Sequence, residues 1–141
     1  MLCRYALFDR FTDRINFLNL SNRIIKELIH FVPDDKLAKE GERLGSLDAV
    51  DFFNSLGYPL EYETFVYLVT EHFGSAKHSR WFQCFHHKMQ NHDLFHLQHN
   101  LGRKWSVFVD SYLRAILKTI FKTKVDSRIY VFAVTLKISR L

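Results

Sequence analysis

The sequence predicts an α+β fold, with helices in its first half and a small antiparallel sheet in its second. Up to about Phe73, apolar residues recur every three to four positions, which is the period of an amphipathic helix. The last segment instead alternates, with apolar side chains at Tyr130, Phe132, Val134, Leu136 and Ile138. Helices and strands segregated in this way indicate α+β rather than a doubly wound fold.

Four helices are predicted before the sheet. They cover residues 22–32, 34–45, 46–57 and 61–73. Ser21 or Asn22 supplies the first N-cap, and Gly45 and Gly57 mark two of the C-terminal ends. Ahead of them, residues 1–14 resemble the end of a lead-in helix and residues 15–20 an edge strand or an extended segment.

The second half predicts a hairpin, a helix and a strand. The hairpin pairs residues 81–89 with 94–99 around a turn at 90–93. The helix over 103–121 carries the most regular apolar stripe of the chain, and the strand covers 130–138. No repeat or low-complexity linker divides the sequence, so we predict a single domain over residues 1–141.

Composition points to a folded, intracellular protein. The 141 residues can bury a sizeable core, to which 14 phenylalanines contribute. Cys3 and Cys84 do not make a disulfide framework, which favours a reducing, cytoplasmic setting. Charges interrupt the N-terminal apolar residues, and no apolar run approaches the roughly 20 residues of a membrane helix. We therefore expect no signal peptide and no membrane contact.

The chemistry-bearing residues do not form a recognisable catalytic set. Cys84 has histidines near it in sequence, but no orienting Asn or Asp is evident, and Gly102 is too isolated for a phosphate-binding loop. The net charge of +5 comes from scattered lysines and arginines. We expect no enzyme activity, no cofactor and no direct nucleic-acid binding by this chain.

The junction before the 103–121 helix is the candidate ligand site. Asn100 can cap this helix, while Arg103 and Lys104 crowd its positive end, where cations are disfavoured unless an anion or a carboxylate is near. His99, Asn100, Arg103 and Lys104 are therefore candidate residues for a small anionic ligand. The alternative is that both cationic side chains simply reach into water.

A metal site is the second interpretation. If the hairpin turns at Asn91 and His92, Cys84 lies opposite His99, and His86 shares their face. Thiolate and imidazole are the ligands that zinc prefers. A register slip of one residue would place them on opposite faces, so a metal-binding module using Cys84, His86 and His99 depends on the turn.

One segment resembles a known family. The run His99-x-x-Gly102-x-Lys104-Trp105-Ser106-x-Phe108, followed by Tyr112-Leu113, is similar to a segment of archaeal transcriptional regulators. In these, a domain of this size follows an N-terminal ribbon-helix-helix DNA-binding segment. The resemblance implies an accessory domain that senses a small ligand or mediates oligomerisation, as a homodimer or with a regulatory protein partner.

The DNA-binding segment itself is expected to be missing here. A ribbon-helix-helix needs about 45 residues, whereas 14 precede Ile15 in this sequence. We expect the accessory domain alone, with the sheet or the 103–121 helix as its contact surface.

Overall fold

A computed structural model describes residues 20–74, 80–120 and 123–139, and its fold is α+β. Its helices are α1 (Asn22–His30), α2 (Asp34–Val50), α3 (Tyr62–Tyr67) and α4 (Arg103–Ile120). Its strands are β1 (Gln83–Lys88), β2 (His92–Gln98), β3 (Val125–Ile129) and β4 (Ala133–Ser139). The predicted lead-in helix over 1–14 and the extended segment before Leu20 lie outside the described residues.

The prediction of four N-terminal helices is wrong, because the second and third are one helix. α2 passes through Gly45 and continues as a π-helical turn over Asp51–Ser55. Gly45 does not end the helix but lies within it. It faces α4 so closely that a Cβ there would lie 3.0 Å from the Cβ of Ala115, so the close approach accounts for the glycine. The glycine that predicted a helix end instead allows α2 and α4 to cross closely.

α2 and α3 each continue into a π-helical turn, α2 over Asp51–Ser55 and α3 over Leu68–His72. The amide of Leu56 bonds to the carbonyl of Asp51 at 2.8 Å, and that of Phe73 to the carbonyl of Leu68 at 2.8 Å. These bonds span five residues, as π-helical bonds do. Gly57 then has a left-handed φ of +72°, which confirms the predicted helix end there.

Within the described residues, four strands form one antiparallel sheet in the order β1-β2-β4-β3. The predicted first hairpin is confirmed, but its register places Cys84 opposite Leu97 and not opposite His99. The predicted final strand proves to be a second hairpin, of which β3 was missed. Tyr130 and Phe132, predicted on a buried face, lie exposed in the turn between β3 and β4.

The helices and strands are therefore interleaved, because α4 connects the two hairpins. α4 packs against α2 and against one face of the sheet, and these buried side chains line it: Trp105, Ser106, Val107, Val109, Asp110, Tyr112, Leu113, Ala115, Ile116 and Leu117. The apolar stripe of α4 packs into the hydrophobic core. No helix in the described ranges has the length and apolarity needed to cross a bilayer.

Candidate functional site

The predicted ligand site lies where β2 passes into α4. Gly102, and not Asn100, occupies the N-cap position, with a φ of +86° and a carbonyl that accepts from the amides of Trp105 at 3.1 Å and Ser106 at 3.4 Å. The Asn100 side chain instead accepts a hydrogen bond from Asn22 Nδ2 at 3.0 Å. The predicted cap thus proves to be a link between the junction and α1.

Arg103 and Lys104 have their anion within the chain. Asp34, in the first turn of α2, places Oδ1 3.1 Å from Lys104 Nζ and Oδ2 3.7 Å from Arg103 Nε. Lys104 also donates to the carbonyl of Val32 at 2.5 Å. A carboxylate at the start of α2 is favoured by the helix dipole, and it lies beside the two cations that the dipole of α4 disfavours. Asp34 therefore supplies a nearby carboxylate, whose single charge balances one of the two positive charges.

His99 braces the same junction. Its Nδ1 accepts from the amide of Leu101 at 3.1 Å, and its Nε2 lies 2.7 Å from Ser106 Oγ. Because a backbone amide can only donate, Nδ1 carries no proton, and Nε2 carries the proton that it donates to Ser106. Burial lowers the pKa of His99 to about 4, which keeps the ring neutral in this role.

Two of the four predicted residues line a cavity. His99 and Asn100 border a space of about 370 Å³ that is also lined by Asn22, Arg80 and Trp81. Arg103 and Lys104 are not part of this lining. The structure therefore divides the predicted site into a small polar cavity beside α1 and an ion-paired helix start.

The residues of the metal interpretation do not form a ligand set. The described part of the chain contains no group of three His, Cys, Asp or Glu side chains that could hold a metal ion. Cys84 is half-buried, and burial raises the pKa of its thiol to about 12. Both ring nitrogens of His99 are already engaged, as described above.

His86 has a carboxylate neighbour that the sequence did not reveal. Its ring stacks on Phe95 with centroids 4.3 Å apart, and its Nε2 lies 3.6 Å from Oδ1 of the buried Asp93. Tyr62, on α3, donates to Asp93 Oδ2 at 2.6 Å. The only signal in the sequence was the position of Asp93, which alternates with Phe95 and Leu97 on the buried face of β2.

This histidine and aspartate do not complete a nucleophilic site. Cys84 lies on the same face of β1 as His86, but it is half-buried, and a thiol with a raised pKa is a poor nucleophile at neutral pH. The described contacts of Asp93 join α3 to the first hairpin. They give it a structural role.

α1 exposes a row of large apolar side chains. This α1 stripe consists of Leu20, Ile24, Leu28 and Phe31, whose exposed fractions are 41, 48, 62 and 83%. Ile25 and Ile29, on the adjacent side of the helix, pack against the core. The sequence showed a broad apolar arc here, but only the packing decides which half of it is buried.

No protein-family model, no curated protein and no solved structure matches this chain. The resemblance to archaeal regulators therefore stays a prediction.

Proposed function

We propose that this chain is a non-enzymatic regulatory and interaction domain that forms a homodimer through the α1 stripe. One observation carries the proposal: four large apolar side chains are exposed along α1 and at its two ends, while the other apolar side of this helix is already packed. Burying such a side chain contributes about 1.5–3 kcal/mol, so leaving four exposed forgoes a large stabilisation. A row of this kind is typical of an interaction surface.

The spacing of the stripe suits a second copy of the same helix. Ile24 and Leu28 stand one turn apart on α1, while Phe31 is its C-cap residue and Leu20 precedes its N-cap residue, Ser21. Two such helices, antiparallel across a two-fold axis, would cover each other's stripe along its whole length. A two-fold interface requires this self-complementarity, because the same patch serves both subunits.

Charges beside the stripe favour the same arrangement. Arg23 and Glu27 stand one turn apart on its flank, both exposed, and neither has an ion-pair partner among residues 20–74, 80–120 and 123–139. In an antiparallel pair, Arg23 would face Glu27 of the partner subunit, and the contact would occur twice. Such pairs contribute little energy when exposed but fix the orientation of the two helices.

The regulatory part of the proposal has two supports. The half-buried Cys84 thiol has a raised pKa, and His86 and His99 are held by other contacts, which favours binding over catalysis. Oligomerisation is also one of the two roles, beside sensing a small ligand, that the resemblance of residues 99–113 to archaeal regulators implies. We include the cytoplasmic location expected from the cysteine content in this proposal.

Light scattering coupled to size exclusion tests the dimer on the full chain. We expect about twice the chain mass of 16.8 kDa, falling to the monomer mass in Leu28→Glu, which places a charge in the middle of the stripe. Lys26→Glu is the matched control, because it changes the charge more but lies on the opposite side of α1 and should stay dimeric. A monomeric wild type at every concentration would overturn the proposal.

A charge exchange tests the antiparallel geometry. Arg23→Glu or Glu27→Arg alone should weaken the dimer, because each places two like charges opposite each other across the axis. The double variant restores opposite charges and should recover the wild-type dissociation constant. If the double variant forms a dimer but does not recover the wild-type dissociation constant, the interface lies on another surface.

A further inference from the structure

The four-stranded sheet has one face in the core and one face outside it. Phe95 and Leu97 on β2 and Leu136 on β4 point into the core. The residues that alternate with them point the other way, and apart from Ala133 these are exposed or half-buried. We call these outward positions of β1, β2, β3 and β4 the open face. Its side chains are accessible to a partner.

A row of side chains crosses the open face from one edge strand to the other. Phe85 lies opposite His96, and His96 lies opposite Thr135, which has Arg128 on its other side. The ring centroids of Phe85 and His96 are 6.5 Å apart, and His96 Nδ1 lies 2.9 Å from Thr135 Oγ1. Phe85 is 42% exposed. Nucleic-acid bases stack on aromatic rings and on guanidinium groups, so the row has the chemistry of a stacking platform.

Two cations of the open face have no counter-ion in the described part of the chain. Arg128 and Lys137 are exposed, and neither forms an ion pair or a side-chain hydrogen bond with a described residue. Asp126, opposite Lys137, is the only carboxylate that the described strands place on this face, and its Oδ2 lies 3.9 Å from Lys124 Nζ. The excess of positive charge on an accessible face complements a polyanion such as a phosphate backbone.

An aromatic groove continues the row at one end of the open face. It has a volume of about 430 Å³, and its lining includes Gln98, Tyr130 and Phe132. The two rings are 46 and 54% exposed. Gln98 Nε2 lies 3.3 Å from His96 Nε2, which joins the groove to the row. A glutamine amide carries donors and an acceptor that suit the edge of a base, while the rings suit its face.

We propose that the open face binds a single-stranded nucleic acid, whose bases stack on Phe85 and His96. Its phosphates contact Arg128 and Lys137. A single strand fits because its bases can splay onto a platform, whereas the bases of a duplex are stacked on one another. The expectation of no nucleic-acid binding was based on cations scattered along the sequence, but the strand pairing places two of them on the face that carries the rings. This inference does not use α1 and does not depend on the dimer.

Fluorescence anisotropy of labelled oligouridine and oligothymidine, each about 12 nucleotides long, tests binding by the full chain. We expect a dissociation constant of about 1–100 μM for at least one of them. The tighter of the two identifies the strand as RNA or DNA. A duplex of the same length should bind at least about tenfold more weakly although it carries more charge, because its base faces are not accessible. Absence of binding by both strands, or equal binding of the duplex, overturns the proposal.

Variants at exposed positions assign the binding to the open face. Phe85→Leu removes the ring but no charge, so it should weaken binding about fivefold or more and leave the salt dependence unchanged. Arg128→Gln and Lys137→Gln should each lower the slope of log affinity against log salt concentration by about 0.7, since each removes one phosphate contact.

Lys39→Gln is the matched control, because it makes the same charge change at an exposed position of α2 and should leave affinity and slope unchanged. An equal loss in Lys39→Gln and Arg128→Gln would show attraction by net charge alone, and it would refute the site. Wild-type affinity in Phe85→Leu would refute it as well. Leu28→Glu should keep the wild-type affinity, which separates this result from the dimer.

Discussion

Gly45 lies where α2 crosses α4, and Gly45→Ala should destabilise the protein although alanine is the better helix former. A Cβ at Gly45 would lie 3.1 Å from the carbonyl carbon of Tyr112, with the carbonyl oxygen closer still. It would also meet the Ala115 Cβ at 3.0 Å. Backbone atoms of a packed helix cannot rotate out of the way, so the two helices would have to separate.

The contact at Gly41, one turn earlier on α2, provides a scale for the size of the effect. A Cβ there would lie 2.7 Å from the carbonyl oxygen of Phe108, about 0.7 Å short of the 3.4 Å at which ordinary contact begins. Overpacking of this kind costs about 1–3 kcal/mol, and the rigid neighbour places it near the upper limit. The gain in helix propensity offsets at most about 1 kcal/mol. We therefore expect Gly45→Ala to lower the free energy of unfolding by about 2 kcal/mol, and Gly41→Ala by somewhat less.

Urea denaturation at one fixed protein concentration, followed by circular dichroism, measures this change. The midpoint should fall while the slope with urea stays constant, because the surface exposed on unfolding is unchanged. In thermal unfolding the loss corresponds to about 6–8 °C for a chain of this size. Ser46→Ala is the matched control: it adds no atom at the crossing, it is exposed on the same helix, and its effect should stay within about 0.5 kcal/mol.

A Gly45→Ala variant as stable as the wild type, or more so, would refute the reasoning. Propensity would then outweigh the contact, and the two helices would lie farther apart than described. The order of the two glycine variants is a second check. A larger loss for Gly41→Ala than for Gly45→Ala would contradict the relative closeness of the two crossings.

Two further predictions concern buried polar groups. The pKa of His99 is lowered to about 4 in the folded chain, below its ordinary value of 6.5, so the unfolded chain binds more protons between these pH values and stability falls as the pH drops through that window. His99→Gln should reduce this loss by about 1 kcal/mol, after allowance for solvent screening of a partly exposed ring, and equal pH profiles of the two proteins would count against it. Tyr62→Phe removes the donor to buried Asp93 and should cost about 1–3 kcal/mol in urea denaturation, whereas an unchanged midpoint would show that the hydrogen bond is dispensable.

Parts of the candidate site were predictable because they depend on local sequence. The excess of positive charge at the start of α4 was visible, and so was the need for a nearby carboxylate. That the carboxylate is Asp34 was not, because α2 and α4 are brought together only by their packing. The same holds for Arg128, which lies on β3, a strand that the alternation of apolar residues did not reveal.

The hairpin shows where local prediction stops. The two strands and their turn follow from alternation and from turn-forming residues, but their register depends on the turn's geometry. A register two residues away from the expected one places Cys84 opposite Leu97 and removes the pairing with His99 on which the metal interpretation depended.

The sequence by itself determined the α+β class, the long core helix α4, the first hairpin and the helix end at Gly57. Each of these depends on the period of apolar residues or on the conformational freedom of a residue in its own turn. Tertiary structure decided that Gly45 marks a crossing and not an end, that Asp34 pairs with Arg103 and Lys104, and that half of the apolar arc of α1 stays exposed. These depend on which surfaces meet, and a residue's neighbours along the chain do not specify its neighbours in space.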